Sequence, residues 1–391
     1  MACFLKAPAT YTGEDMAEIY IHGSRIIAKR TLSVLSRFLR PAEGGEFTKR
    51  AFMNGKLDLS QAEAVMDVIS SVTEQGARMA EEQLEGSIGS GIKDIEDRLI
   101  DILSGVEAAL DYPDELEEDT VSSLENELAP IIDKLDYLIR GGNAARIFRE
   151  GASVAILGAP NAGKSSLLNA LVGYDRAIVT DLPGTTRDTV EEKAVVGGVL
   201  LRLIDTAGIR ETDDAVERLG VERSRRAVES ADLVIVVADG SHTPLTVEPD
   251  ILALAARAPH WILAISKDDR NPAVKTAVWR LPDGAPAPEH LVSFNSVMPG
   301  GLDALIDTIG DCFPAGVPAG GTLLTNARQA EAIRRALESV RAAHEALTAG
   351  LTPDVVLTEA EGALDALGEL TGRTAREDMV TRIFERFCVG K

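Results

Sequence analysis

Between about residues 151 and 315 the chain alternates short apolar runs with longer mixed stretches. SVAILG, VLLRLIDTAG, ADLVIVVADG and HWILAISKDD are rich in Val, Ile and Leu, the pattern of strands buried on both faces. AVVGGVLL sets Gly197-Gly198 between two apolar halves, which reads as a hairpin with a two-residue turn. Strands alternating with helical stretches predict a doubly wound α/β domain with a mostly parallel sheet.

The flanks follow a different period. Ser60 and Glu63 read as a capping box, and Val65, Val68, Ile69 and Val72 recur at i, i+3, i+4 and i+7, so an amphipathic helix is expected there. Helical texture continues to about Arg149, broken by the acidic DYPDELEED stretch, which reads as a solvated turn. After PAGVPAGG it resumes, with Ile333, Ala336, Leu337 and Val340 on one face, then Val380, Ile383, Phe384 and Phe387 on another. Neither stripe can stay in water. The helices before Arg149 and after Gly321 are therefore expected to pack into one bundle, with the α/β domain inserted in it. The first segment, with the β-like run AEIYIHG and a Pro/Gly loop at Pro41 to Gly45, is too small for a core of its own.

Composition narrows the function classes. A chain of 391 residues, 45% hydrophobic, has material for two or three cores. A formal charge of −22 removes the simplest electrostatic means of gripping a polyanion, so any nucleic-acid partner must be met locally or through another protein. Cys3, Cys312 and Cys388 show no paired spacing, which suits a reducing compartment. No run nears the length of a spanning helix, and a cytoplasmic protein with no membrane partner is expected.

The chemistry is carried by short strings in a fixed order. Gly158-x4-Gly163-Lys164-Ser165 is a Walker A phosphate loop set between a strand and a helix. Its glycines let backbone N–H groups close on phosphates, Lys164 is expected to meet the β and γ oxygens, and Ser165 to ligate Mg²⁺. Asp205-Thr206-Ala207-Gly208 follows the third strand, where a carboxylate can hold a metal-bound water and the Gly208 N–H can sense a γ-phosphate. Thr185-Thr186-Arg187-Asp188 lies between, and a threonine there can supply a second Mg²⁺ ligand. After HWILAI stands Ser266-Lys267-Asp268-Asp269, in place of the Asn-Lys-x-Asp of GTPases. Asp269 can accept from guanine N1 and N2, which adenine does not offer. Ser266 cannot reproduce an amide, so guanine preference with weakened affinity is expected. Asn295-Ser296 replaces the usual Ser-Ala. Ile209 stands where many GTPases place the water-orienting Gln, leaving Arg210, Glu211, Asp213, Asp214 and Glu217 as candidates.

With GEFTKRAFMNGKLDLSQAEA ahead of the loop, IVTDLPGTTRD and DTAGIRETDDAVERLG after it, and Cys-Val-Gly-Lys at the end, the whole chain resembles the MnmE (TrmE) family of tRNA-modification GTPases. The resemblance implies a Ras-like doubly wound P-loop domain, residues 151–315, inserted in an all-α helical bundle, residues 56–150 and 316–391. It implies an incomplete N-terminal α/β folate-binding domain, residues 1–55, and a homodimer. It also implies a K⁺-dependent GTP hydrolase that works with a flavin-dependent partner (MnmG/GidA). Together they modify C5 of the wobble uridine of certain tRNAs, with 5,10-methylene- or 5-formyl-tetrahydrofolate as the one-carbon source.

Residue by residue, the resemblance gives nucleotide contacts to Asn161, Ala162, Gly163, Lys164, Ser165 and Ser166. It adds Thr180, Asp181, Leu182, Pro183, Gly184, Thr185 and Thr186, then Asp205, Thr206, Ala207 and Gly208, and finally Ser266, Lys267 and Asp269. Asn161, Thr180, Leu182 and Thr185 match the K⁺ site, Ser165 and Thr186 the Mg²⁺ ligands, and Glu217 the residue that orients water beside Lys164. Glu18, Lys56 and Lys391 match folate-binding positions, and Cys388 a terminal cysteine tied to the modification chemistry.

Overall fold

A computed structural model describes residues 1–111, 118–174, 192–204, 225–241, 247–270, 284, 286–313, 324, 326–385 and 387, without the side chains of 108–111, 118–125 and 143–145. The chain divides into two compact units. One comprises residues 1–70, 77–145 and 320–391, the other residues 71–76 and 146–319.

The chain opens with β1 (Ala2–Leu5) and β2 (Met16–Ile19), an antiparallel pair that sets Cys3 opposite Glu18. Then follow α1 (Arg25–Leu35), α2 (Glu46–Met53), α3 (Leu59–Ser70), α4 (Glu74–Leu84), α5 (Ser87–Asp111) and α6 (Glu118–Glu150). Helix α3 starts differently from the sequence expectation. The capping pair is Asp58 and Gln61: Gln61 N donates to Asp58 Oδ1 at 2.8 Å and Asp58 N to Gln61 Oε1 at 2.9 Å. Ser60 instead gives its hydroxyl to Asp58 Oδ1. The inward stripe is Leu59, Ala62 and Val65, while Ile69 is 45% exposed. The cap lies two residues earlier than expected, and the inward face is set by packing against Val380, Phe384 and Phe387 rather than by the valine spacing alone.

In the second unit come β3 (Ala152–Leu157), α7 (Lys164–Tyr174), β4 (Glu192–Val196), β5 (Val199–Leu203) and β6 (Leu233–Asp239). They are followed by α8 (Pro249–Ala255), β7 (His260–Ser266), β8 (His290–Ser293) and α9 (Asp303–Cys312). The six strands lie in the order β4-β5-β3-β6-β7-β8. All neighbours are parallel except β4 and β5, joined by the Gly197-Gly198 turn with φ of 58° and 80°, values only glycine adopts freely at both central positions. β3, β6 and β7 are buried along nearly their whole length, as their unbroken apolar sequence requires. Strand order reverses at β3, so the crevice beyond its carboxyl end is where such a sheet takes a ligand.

The remaining helices, α10 (Ala327–Thr348), α11 (Pro353–Thr371) and α12 (Glu377–Phe384), belong to the first unit. Ile88, Ile92, Ile95, Leu99, Ile102 and Val106 of α5 share one core with Leu128, Ile131 and Leu135 of α6 and with side chains from Leu324 to Leu370. The four-three spacing along α5 is a heptad seam, which suits helices packed at a shallow angle. Ile333, Ala336, Leu337 and Val340 lie in this core. Val380, Phe384 and Phe387 close a second one against Leu59, Ala62 and Val65. The two cores are tied by Glu63. It is 9% exposed and accepts from Asn326 Nδ2 at 2.9 Å, Arg328 Nε at 2.9 Å, Arg328 Nη2 at 2.8 Å and Gln329 Nε2 at 2.9 Å. Asn326 also caps α10 through Gln329 N. Among the described residues no helix is long and apolar enough to cross a membrane.

Candidate nucleotide-binding site

The parallel register brings three chain ends together at one edge of the sheet. Gly158 follows β3, Asp239 ends β6, and Ser266 ends β7 directly beside Asp239. Gly158 has φ 144°, and a Cβ there would stand 2.3 Å from the Val237 carbonyl. No side chain fits, and the loop leaves the sheet flush against β6. Asn161 at φ 61° and Gly163 at φ 104° complete the reversal into α7.

Lys164 reaches back over the loop and donates to Gly158 O at 2.8 Å and Ala159 O at 2.7 Å. Burial holds its ammonium below the ordinary lysine range. A phosphate in the same cradle would give that ammonium charged oxygens in place of neutral carbonyls. This is chemistry for binding an anion, with the α7 N-terminus behind it. Ser165 and Ser166 are exposed at the first turn of α7.

Ser266, the departure from Asn, is buried and doubly bonded: its hydroxyl lies 2.6 Å from Ala162 O and 3.1 Å from Ala238 O. A Cβ on Gly163 would lie 3.4 Å from Ser266 Cβ, so the phosphate loop rests directly on this side chain. Lys267, at φ 59°, gives its ammonium to Asn161 O at 3.1 Å and to the Asp239 carboxylate. Desolvation pushes Asp239 up, but hydrogen bonds from Lys267 and Ser241 outweigh it and hold the carboxyl down at about 2. The phosphate loop is thus pinned from below at Ala162 and from the side at Asn161 by consecutive residues of β7 and the turn after it.

Asp268 points the other way. It is buried and accepts Asn295 Nδ2 at 2.7 Å, while Asn295 Oδ1 takes Met298 N at 2.8 Å and Asn295 N donates to Gly301 O at 3.0 Å. A Cβ on Gly301 would fall 2.3 Å from Asn295 Oδ1. The loop after β8 is therefore locked to the turn after β7, and Asp269 stays exposed beside it. Asp239, Asp268 and Asn295 were not singled out for these roles in the sequence. The Asp-Gly after β6 was the available signal, since a carboxylate at that edge must face the neighbouring strand's end.

The described residues bring together Asn161, Ala162, Gly163, Lys164, Ser165, Ser166, Ser266, Lys267 and Asp269. Thr180, Asp181, Leu182, Pro183, Gly184, Thr185, Thr186, Asp205, Thr206, Ala207, Gly208, Glu217, Cys388 and Lys391 lie outside the described residues. In the first unit, Lys56 Nζ donates to Pro8 O at 3.0 Å with its stem against Gly13, and exposed Glu18 accepts the Tyr20 hydroxyl. Each has a protein partner, and nothing joins the two directly among the hydrogen bonds described.

A phosphate loop at the switch point of a mostly parallel sheet, braced by a Lys-x-Asp turn at the end of a parallel strand, defines a P-loop GTPase. A sequence profile described as the MnmE helical domain matches residues 59–388, and one described as the GTP-binding protein TrmE N-terminus matches residues 1–56. A tRNA modification GTPase MnmE of Akkermansia muciniphila is 43% identical over 396 residues, covering 100% of this chain and 85% of that protein. Relatives of the same name from Streptococcus thermophilus, at 40% over 397 residues, and Roseiflexus, at 41% over 399, cover 100% of this chain and 85% and 86% of their own lengths. The chain belongs to the MnmE family.

Proposed function

We propose that this chain hydrolyses GTP, aided by K⁺, to drive or gate modification of the wobble uridine of certain tRNAs at C5. It does so as a cytoplasmic homodimer, with a flavin-dependent partner of the MnmG (GidA) kind and a tetrahydrofolate one-carbon unit. Residues 1–55 would serve folate, residues 56–150 with 316–391 the helical body, and residues 151–315 the nucleotide. The single observation behind the nucleotide half is Lys164 folded onto Gly158 O and Ala159 O in a loop that Gly158 presses against Val237. That arrangement is a preformed anion cradle.

Ser165 and Thr186 would hold Mg²⁺, and Asn161, Thr180, Leu182 and Thr185 would hold K⁺. An oxygen-only donor set fits both hard cations. Asn161 supports this placement: it is exposed, and Lys267 engages its carbonyl, so the side-chain amide is the group available to a ligand. Bound Mg²⁺ and K⁺ would supply positive charge to the phosphate oxygens as the terminal group departs. The chain's own part is to hold the β and γ oxygens with Lys164 and loop N–H groups, to read guanine with Asp269, and to orient water with Glu217. Ser266 keeps the loop seated while this happens. Glu18, Lys56 and Lys391 would receive the folate, and Cys388 would serve the modification site.

GTP turnover measured in K⁺ and in Na⁺ at equal ionic strength tests the reading. Turnover should fall in Na⁺, and Glu217→Ala should lower it by on the order of 100-fold while GTP still binds. Equal rates in both salts would remove the cation from the mechanism. Mass analysis of wobble uridines in cells lacking the gene tests the tRNA half, with loss of the C5 group expected.

A further inference from the structure

Away from the nucleotide loop, three donor side chains of different chemistry meet in the second unit. His260 is the first residue of β7, Glu289 immediately precedes β8, and Cys312 ends α9. His260 Nδ1 stands 2.8 Å from Glu289 Oε2, and donor atoms of all three lie within 4.8 Å of one another. The imidazole is held edge-on to the Phe313 ring at 5.5 Å and 74°. Glu289 is fixed at its backbone, where its N–H donates to Trp261 O at 3.2 Å. The His260 and Glu289 side chains are 33% and 41% exposed, whereas Cys312 is 3% exposed. One side of the cluster opens to water and the other ends in sulfur.

We propose that His260, Glu289 and Cys312 form a binding site for a divalent metal ion of the zinc class, clamping together the starts of β7 and β8 and the end of α9. One nitrogen, one carboxylate oxygen and one sulfur are a ligand set that suits zinc, with water as the fourth ligand on the open side. Tetrahedral coordination sets such donors roughly 3.3–3.7 Å apart, so the partly exposed His260 and Glu289 would part slightly from their 2.8 Å contact and close on the buried sulfur by about 1 Å. On binding, the Cys312 thiol proton leaves to solvent, the imidazole coordinates as its neutral base and Glu289 stays a carboxylate. Burial, with Glu289 and Asp311 adding to it, pushes that thiol up to about 12. That burial is a cost of deprotonation, which the metal–thiolate bond must offset. β7 runs from His260 to Ser266, roughly 20 Å at strand rise. The clamp lies at the far end of the strands whose other ends carry the base-reading turn, so its role is structural.

Cobalt(II) titrated into the nucleotide-free full chain, in a Cys3→Ser/Cys388→Ser background, provides the test. One equivalent should produce a thiolate-to-cobalt charge-transfer band with tetrahedral d–d absorption. Cys312→Ser should abolish the band, and His260→Ala and Glu289→Gln should each weaken binding by roughly 10- to 100-fold or more. His260→Ala lies at the surface, so it tests the ligand set even where Cys312→Ser disturbs the core. Zinc should raise the thermal midpoint of the parent protein and leave that of His260→Ala where it was. The absence of a thiolate band, a band undiminished in both His260→Ala and Glu289→Gln, or a midpoint unmoved by zinc in the parent would each reduce the cluster to a surface ion pair beside a buried thiol.

Discussion

Ser266 has a shorter reach than the Asn usual at its position, and the protein uses that shortness. Its hydroxyl donates its one proton at Ala162 O or at Ala238 O, holding the phosphate loop against the sheet. Ser266→Ala would strip a buried carbonyl of its partner, at about 1–3 kcal/mol. GTP affinity should drop by roughly tenfold or more with little change in the far-ultraviolet spectrum, as fluorescent-nucleotide titration would read. Competition with ATP checks the accompanying expectation of guanine preference through Asp269. Asp239 offers a pH test. Its folded carboxyl is held at about 2 against an ordinary 3.8, so the stabilisation is complete well above 3.8 and fades as pH falls towards 2. The stability gap between the parent and Asp239→Asn, measured by urea unfolding, should narrow from pH 5 to pH 3. Gly158, Gly163 and Lys164 were readable in the sequence because phosphate binding demands those residue types at that spacing. The role of Ser266 was not, because a serine says nothing of which carbonyls a neighbouring strand will bring to it.

At the level of elements, Glu63 is the residue whose sequence reading and structure differ most. Read from spacing it was a capping partner; in the fold it faces inward from α3 and gathers four donor bonds from the start of α10. Glu63→Ala leaves Arg328, 19% exposed, without its carboxylate. The loss should be about 3–5 kcal/mol, seen as a lowered urea midpoint of the helical unit. Glu63→Gln should cost less, since an amide oxygen still accepts. The buried strands and the stripes on α10 and α12 were legible because apolar period alone fixes which side turns inward. The start of α3 was not, since Asp58/Gln61 and Ser60/Glu63 offer rival caps two residues apart. In the fold the earlier start goes with packing of Leu59, Ala62 and Val65 against Val380, Phe384 and Phe387.

Over the whole molecule, the helical unit carries two cores and the sheet unit one of its own. Calorimetry should resolve two unfolding transitions, and Mg²⁺ with GTP should raise the one belonging to the unit that holds Lys164, because a ligand stabilises what binds it. A single transition shifted as a block would contradict this. The helical core also fixes an order of events during synthesis. Its α5 and α6 halves leave the ribosome with their heptad seam bare, and their partners at 327–371 follow only after all of 146–319 has been made. At roughly 5–20 residues per second that delay is on the order of ten to thirty seconds. A greasy helical pair must be shielded for that interval, and the nucleotide-binding unit can finish folding first. Vectorial translation thus makes the inserted unit the early product and the surrounding body the late one.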